Sequence, residues 1–158
     1  METMEQALIK AYGPNSRRAV TYSYVMKRIL DSAKAPGFGD EAWAPLGELV
    51  DIAAFARMGN FMEVVDWNQY VPLLSMWSKA TDWTFHVRRV TEGEDYAVLE
   101  LHETAGYPDR DEDYNSISVY QFGQDGRLVH LDVYLQKREA PEASRRHSWD
   151  LAKVGART

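Results

Sequence analysis

The segment Tyr114–Gln136, YNSISVYQFGQDGRLVHLDVYLQ, constrains this chain more than any other stretch. Two runs of alternating apolar and polar residues flank Gln124-Asp125-Gly126-Arg127. Asp-Gly in that setting is the strongest short-range hairpin signal, because both central residues of a type I′ turn require φ > 0. A two-residue turn at Asp125-Gly126 predicts the pairs Phe122–Val129, Tyr120–Leu131, Ser118–Val133 and Ser116–Leu135. Side chains alternate across a strand, so those residues share one face, aliphatic with hydroxyls at one end. The reverse face carries Asn115, Ile117, Val119 and Gln121 against His130, Asp132, Tyr134 and Gln136.

The same period-2 pattern runs upstream, through Trp83–Val90 and Tyr96–Ala105. With Tyr114–Phe122 and Leu128–Lys137 these strands make an antiparallel meander, turned at Glu92-Gly93-Glu94 and across Gly106 to Asp113. Trp83, Phe85 and Val87 fall opposite Leu99 and Leu101. The reverse faces set Thr84, His86 and Arg88 against Val98, Glu100 and His102.

Helical spacing dominates before the meander. Residues 3–11 read as a short helix or a loose lead-in, broken by Gly13-Pro14-Asn15-Ser16. Ser16 is the expected N-cap of a helix to about Ala33, ended by Pro36-Gly37-Phe38-Gly39. Asp40 is expected to cap a second helix that buries Trp43, Leu46, Leu49 and Val50, with Pro45 in its first turn. Ile52–Met58 reads as a short strand. Asp66 is the expected cap of a third helix, Trp67–Ala80, in which Pro72 predicts a kink or a late start. Helices followed by a meander mean α+β. A curved sheet with helices on its concave side encloses a cavity.

The length, 158 residues, fits a single domain, 1–158, with a core of about 16–137 and loose ends, including a polar tail with Arg145-Arg146. A net charge of −6 argues against nucleic-acid and acidic-membrane partners. The lack of cysteine excludes a disulfide framework, a thiolate nucleophile and Cys-ligated zinc. No run of 18 apolar residues or signal-type leader is visible, so cytoplasm is the expected compartment. Absence of G-x-S-x-G, G-x-G-x-x-G, a Walker loop and H-E-x-x-H sets those chemistries aside, and nothing points to a cofactor.

Gly126-Arg127-Leu128 with Leu131 and Tyr134, Tyr120-Gln121-Phe122 before the turn, and Trp67 and Tyr70 opening the third helix carry a resemblance. Together with the order helices, short strand, helix, four long strands, they resemble the nuclear transport factor 2-like superfamily over Ser16–Lys137. The resemblance implies a cone-shaped curved antiparallel sheet wrapped around three N-terminal helices, the cystatin-like α+β roll. Enzymes of that superfamily include ketosteroid isomerase, limonene epoxide hydrolase and SnoaL-like polyketide cyclases. Its scaffold hosts many functions. The acids of those enzymes match Ser118, Ala56 or Arg57, and Val133 in this chain, so their catalytic groups do not carry over.

Parity then selects the candidates. If the aliphatic face is concave, Trp83, Phe85, Leu101, Leu131, Val133 and Leu135 would bind substrate, with Trp67 and Trp77 from the third helix. Glu103, Ser116, Ser118 and Tyr120 would be the polar groups of that wall. A carboxyl against apolar walls has a raised pKa and suits general acid–base work, with hydroxyls polarising an oxygen. Asp51 and Arg57 flank the short strand, and Tyr22 and Tyr24 lie on the first long helix; Asp51 and Tyr24 complete the candidate set. The rival cluster is His86, Glu100 and His102 on the other face, joined by His130 and Asp132, which a β-bulge would bring inward. That cluster offers acid–base groups or metal ligands, although two ligands do not make a metal site.

The functional expectation is a cofactor-independent cyclase, isomerase, dehydratase or epoxide hydrolase acting on a small, mostly apolar polyketide- or terpenoid-like molecule. The alternative is a non-catalytic ligand-binding or dimerisation module. A homodimer is expected through the outer face, where Ile117, Val119 and Tyr134 would otherwise be wet.

Overall fold

The computed structural model describes residues 1–137; the Arg145-Arg146 tail lies outside the described residues. Two helices, α1 (Met4–Ile9) and α2 (Pro14–Asp31), precede a 3₁₀ turn (Asp40–Trp43) that runs into α3 (Ala44–Gly47). Strands β1 (Ala56–Met58) and β2 (Val64–Val65) form a small hairpin before α4 (Trp67–Ala80). Four long strands follow: β3 (Asp82–Glu92), β4 (Tyr96–Gly106), β5 (Asp111–Phe122) and β6 (Leu128–Lys137). All six strands belong to one curved sheet ordered β2-β1-β6-β5-β4-β3. Its pairs are antiparallel except β1 with β6, which run parallel and set Arg57 beside Leu131.

Local chemistry explains the helix ends. Asp66 accepts from the Gln69 amide at 2.9 Å while the Gln69 side chain accepts from the Asp66 amide at 3.1 Å, a capping box that starts α4 at Trp67. The helix therefore does not start late. Pro72 sits inside it, and the carbonyl that the ring leaves unpaired belongs to exposed Asn68, where water can satisfy it. α2 begins at Pro14 with Gly13 as N-cap, a correction to the Ser16 expectation. Proline at the first position has no amide to leave unsatisfied. Ser16 instead lies in the first turn, and its amide and hydroxyl donate to Glu92 Oε2 at 2.7 and 2.6 Å. A carboxylate from the end of β3 thus closes the helix terminus. Asp40 caps no α-helix either: it accepts from the Ser75 hydroxyl, which itself accepts from Trp43 Nε1 at 2.9 Å.

The last hairpin departs from the expected two-residue turn. Only Gly126 has positive φ, +79°; its amide donates to the Gly123 carbonyl at 2.9 Å, and the Gly123 amide to the Arg127 carbonyl at 2.8 Å. Gln124–Gly126 therefore form a three-residue loop with glycine at the left-handed position, the usual source of a bulge. The consequence is local. Phe122 pairs with Leu128, not Val129, while Tyr120–Leu131, Ser118–Val133 and Ser116–Leu135 pair as expected.

A second bulge falls in β3 between Val87 and Arg89. Trp83, Phe85 and Val87 face the helices before it, and Val90 does so after it. The extra residue is absorbed beyond His86, so the odd-numbered residues of β3 up to Val87 and of β4 from Ala97 to Ala105 look inward. Val20, Trp43, Leu46, Val87, Leu99 and Leu128 are almost fully buried between helices and sheet.

Candidate active site

A cavity of about 300 Å³ opens between α2, α4 and the concave face of the sheet. Its wall is largely apolar: Met26, Leu73, Leu74, Trp77, Trp83, Leu101, Leu131, Val133 and Leu135. Polar groups enter at a few places, Glu103 from β4, Ser118 and Tyr120 from β5, Tyr22 and Ser23 from α2, Arg57 from β1 and Tyr70 from α4.

Glu103 is held by two neighbours on its own face. Trp83 Nε1 donates to Oε2 at 2.6 Å, and the Ser116 hydroxyl donates to Oε1. Burial raises the pKa of this carboxyl above the ordinary carboxylate value; the Ser116 and Trp83 hydrogen bonds offset part of the rise. The two donors differ in kind. An indole N–H can only donate, whereas a hydroxyl can donate to a carboxylate or accept from a carboxylic acid. Both protonation states of Glu103 are therefore satisfied without moving the side chain.

Tyr120 is committed elsewhere. Its hydroxyl lies 3.1 Å from Ser23 Oγ, which can also donate to the Ala19 carbonyl at 3.1 Å. Ser23 thus anchors the Tyr120 hydroxyl, and either oxygen can supply the shared proton. Burial raises its pKa strongly, with Ser23 and Ser118 offsetting part. Tyr22, one helical turn from Ser23's partner, is different. It is 2% exposed, stacks edge-on against Tyr120 at 5.7 Å, and its hydroxyl has no hydrogen-bond partner. Burial raises its pKa well above 10, with Tyr70 and Tyr120 adding to the rise and Arg57 opposing it. Arg57 places its guanidinium 5.2 Å from the Tyr70 ring centre and 3.6 Å from Glu63 through one terminal nitrogen. Its Nε is buried without a partner.

Of the expected catalytic set, Glu103, Ser118 and Tyr120 line the cavity; Tyr24 and Asp51 do not. The Tyr24 hydroxyl donates to the Glu2 and Thr3 carbonyls, and burial, with Glu2, lifts its pKa to about 12. Two residues along a helix is about 200° of rotation, so Tyr22 and Tyr24 face opposite ways. Asp51 is held at the Leu128 carbonyl through its amide and stays outside. Of the expected binding residues, Trp77, Trp83, Leu101, Leu131, Val133 and Leu135 line the cavity. Phe85 is packed behind it between Tyr24 and Trp83, and Trp67 belongs to a separate surface groove with Trp43 and Gly47.

The rival cluster is not assembled. His86 pairs across the strands with His102, not Glu100, and Glu100 lies opposite Arg89, on the far side of the bulge. Arg89 donates to Glu100 at 2.6 Å, His86 lies 3.3 Å from Glu2, and His102 lies 3.8 Å from Asp113. His130 and Asp132 are 2.7 Å apart on the outer face. Among the described residues, no group of three or more His, Asp and Glu converges on a common point. Arg57 and Tyr22 were in view in the sequence but passed over for their neighbours, and Tyr70 carried only a core signal.

No protein-family model matches the chain, and no curated protein matches it. Solved structures do. A Shewanella putrefaciens protein proposed to be a SnoaL-like polyketide cyclase superposes with TM-score 0.60 at 10% identity, over 83% of this chain and 85% of that one. The epoxide hydrolase/cyclase-like enzyme SalBIII, of pyran ring formation in salinomycin, gives 0.54 at 11% identity, over 76% and 91%. A limonene epoxide hydrolase-like enzyme of M. tuberculosis gives 0.54 at 9% identity, over 73% and 82%. The chain has the nuclear transport factor 2-like fold. Glu103 faces the cavity between the helices and the concave side of the sheet. Among the described residues no helix is long and apolar enough to cross a membrane.

Proposed function

We propose that this nuclear transport factor 2-like chain is a cofactor-independent cyclase, isomerase, dehydratase or epoxide hydrolase for a mostly apolar polyketide- or terpenoid-like molecule. The observation that carries the reading is Glu103, a carboxyl raised in pKa by an apolar cavity and held by one fixed and one reversible partner. Such a group is a stronger base than an ordinary carboxyl. As carboxylate it takes a proton from a substrate carbon or from a water. Ser116 then turns from donor to acceptor, Trp83 keeps the second oxygen in place, and the acid returns the proton to an oxygen of the product. Ser118 lies on the same wall and can donate to that oxygen. The cyclase and epoxide hydrolase named above share this scaffold, which supports the reaction class. The reading includes a cytoplasmic homodimer joined through the outer face of the sheet.

The test is a panel of terpene epoxides and polyketone analogues, with products followed by mass spectrometry. Glu103→Gln is expected to lower turnover by at least about a hundredfold. Unchanged turnover would remove Glu103 from the chemistry. A panel left untouched by the parent protein would favour a non-catalytic ligand-binding module, a reading also supported by Ser118, Ala56 or Arg57, and Val133 standing where the superfamily's enzymes carry acids.

A further inference from the structure

Two donors on the cavity wall, Arg57 Nε–H and the Tyr22 hydroxyl, make no hydrogen bond within normal distance, and the protein group that both residues approach is the Tyr70 hydroxyl. A buried donor left unsatisfied costs the desolvation of that group, so native structures keep few of them, and those few call for an explanation. These two come from different elements, β1 and α2, yet face one space and both approach Tyr70, Arg57 over its ring and Tyr22 at its hydroxyl. Among the described residues, the carboxylate within ion-pair distance of Arg57 is the exposed Glu63, 3.6 Å from a terminal guanidinium nitrogen and not bonded to Nε. Glu103 has both its oxygens engaged by Trp83 and Ser116. The Tyr120 ring meets Tyr22 edge-on, and its hydroxyl bonds to Ser23, not to Tyr22.

From the two orphaned donors we infer that Arg57 and Tyr22 form an anion-binding end of the cavity, and that its ligand is an amphipathic carboxylate. The carboxylate accepts from the guanidinium and from the phenol, and its apolar body lies along Leu131, Val133 and Leu74. Guanidinium is suited to this role because its planar donors match the two oxygens of a carboxylate. The Tyr70 ring beneath the guanidinium fixes its plane. The inference deepens the preceding reading and rests on it for the cavity being the ligand site. It adds that the substrate is held by a charged head, which leaves the body to reach Glu103.

Calorimetric titration of the full chain with 4-phenylbutanoate and with its methyl ester separates the charged from the neutral head. The acid is expected to bind at least about tenfold more tightly, since hydrogen bonds to charged groups exceed neutral ones. Arg57→Gln is expected to close that gap while leaving the ester unchanged. Tyr22→Phe, which removes one oxygen and no packing, is expected to weaken the acid by about threefold to tenfold. An ester that binds as well as the acid overturns the inference, as does an acid affinity unmoved by both variants. Heat from neither ligand up to millimolar concentration overturns it too. Acid selectivity in a protein whose turnover survives Glu103→Gln supports the anion end and sinks the Glu103 assignment; equal binding of acid and ester with turnover lost does the reverse.

Discussion

Ser116 decides how Glu103 titrates, because it is the one partner that can change its role with the proton. Its hydroxyl bond favours the charged carboxylate, so removing it moves the pKa further up. Ser116→Ala is therefore expected to shift the acidic limb of the pH–rate profile to higher pH, a displacement that a purely structural serine would not produce. The same residue also has a stability signature. The folded pKa of Glu103 stands above its unfolded value, so its favourable contribution exists at pH below the unfolded value and is lost as pH rises through the folded one. Glu103→Gln escapes that loss, and its amide can accept from Trp83 while donating to Ser116. The variant should melt higher than the parent at neutral pH and no higher in acid, as scanning calorimetry would register. Glu103 was legible in the sequence because strict alternation from Leu99 left it on the apolar face. Arg57 and Tyr22 were not, because neither alternation nor composition tells which end of a three-residue strand or which side of a helix meets a cavity.

Among the elements, α2 depends on a residue of β3 for its start. Burial pulls the Glu92 pKa up, but hydrogen bonds from the Ser16 hydroxyl and from the Ser16 and Asn15 amides, with Arg18 nearby, bring it below the usual value. A carboxylate at a helix N-terminus also meets the favourable end of the helix dipole. With the folded pKa depressed, this stabilisation is present above the unfolded pKa and is lost as pH falls through the folded one. Glu92→Gln is expected to destabilise the protein by about 1 kcal/mol at neutral pH and to flatten its acid unfolding curve, measured by urea denaturation across pH. The link was invisible in the sequence, where Ser16 reads as a cap in its own right. A turn hydroxyl seventy-odd positions from its partner leaves no periodic trace. The β3 bulge was foreseen only as a contingency, and its placement after His86 is what keeps that histidine outside.

At the scale of the molecule, the outer face of the sheet presents Ile117, Tyr134 and Tyr96, each about half exposed, on strands that are otherwise paired. The proposed dimer would cover them with a second copy. Light scattering at micromolar concentration should return twice the chain mass, and Ile117→Asp with Tyr134→Asp should return the chain mass alone. A monomer in the parent protein would remove the dimer from the reading. The architecture itself was readable because helical and alternating segments occupy separate stretches of the chain. The join between β1 and β6 was not, since nothing in a short apolar run names its distant neighbour.

That join gives the two ends of the hollow different histories. Trp83, Glu103 and Ser116 sit on successive hairpins that can zip from their own turns, whereas Arg57 reaches its place only when a distant strand comes alongside Leu131. Contacts that close long loops form late. A refolding chain is therefore expected to set Glu103 between Trp83 and Ser116 before Arg57 reaches the cavity.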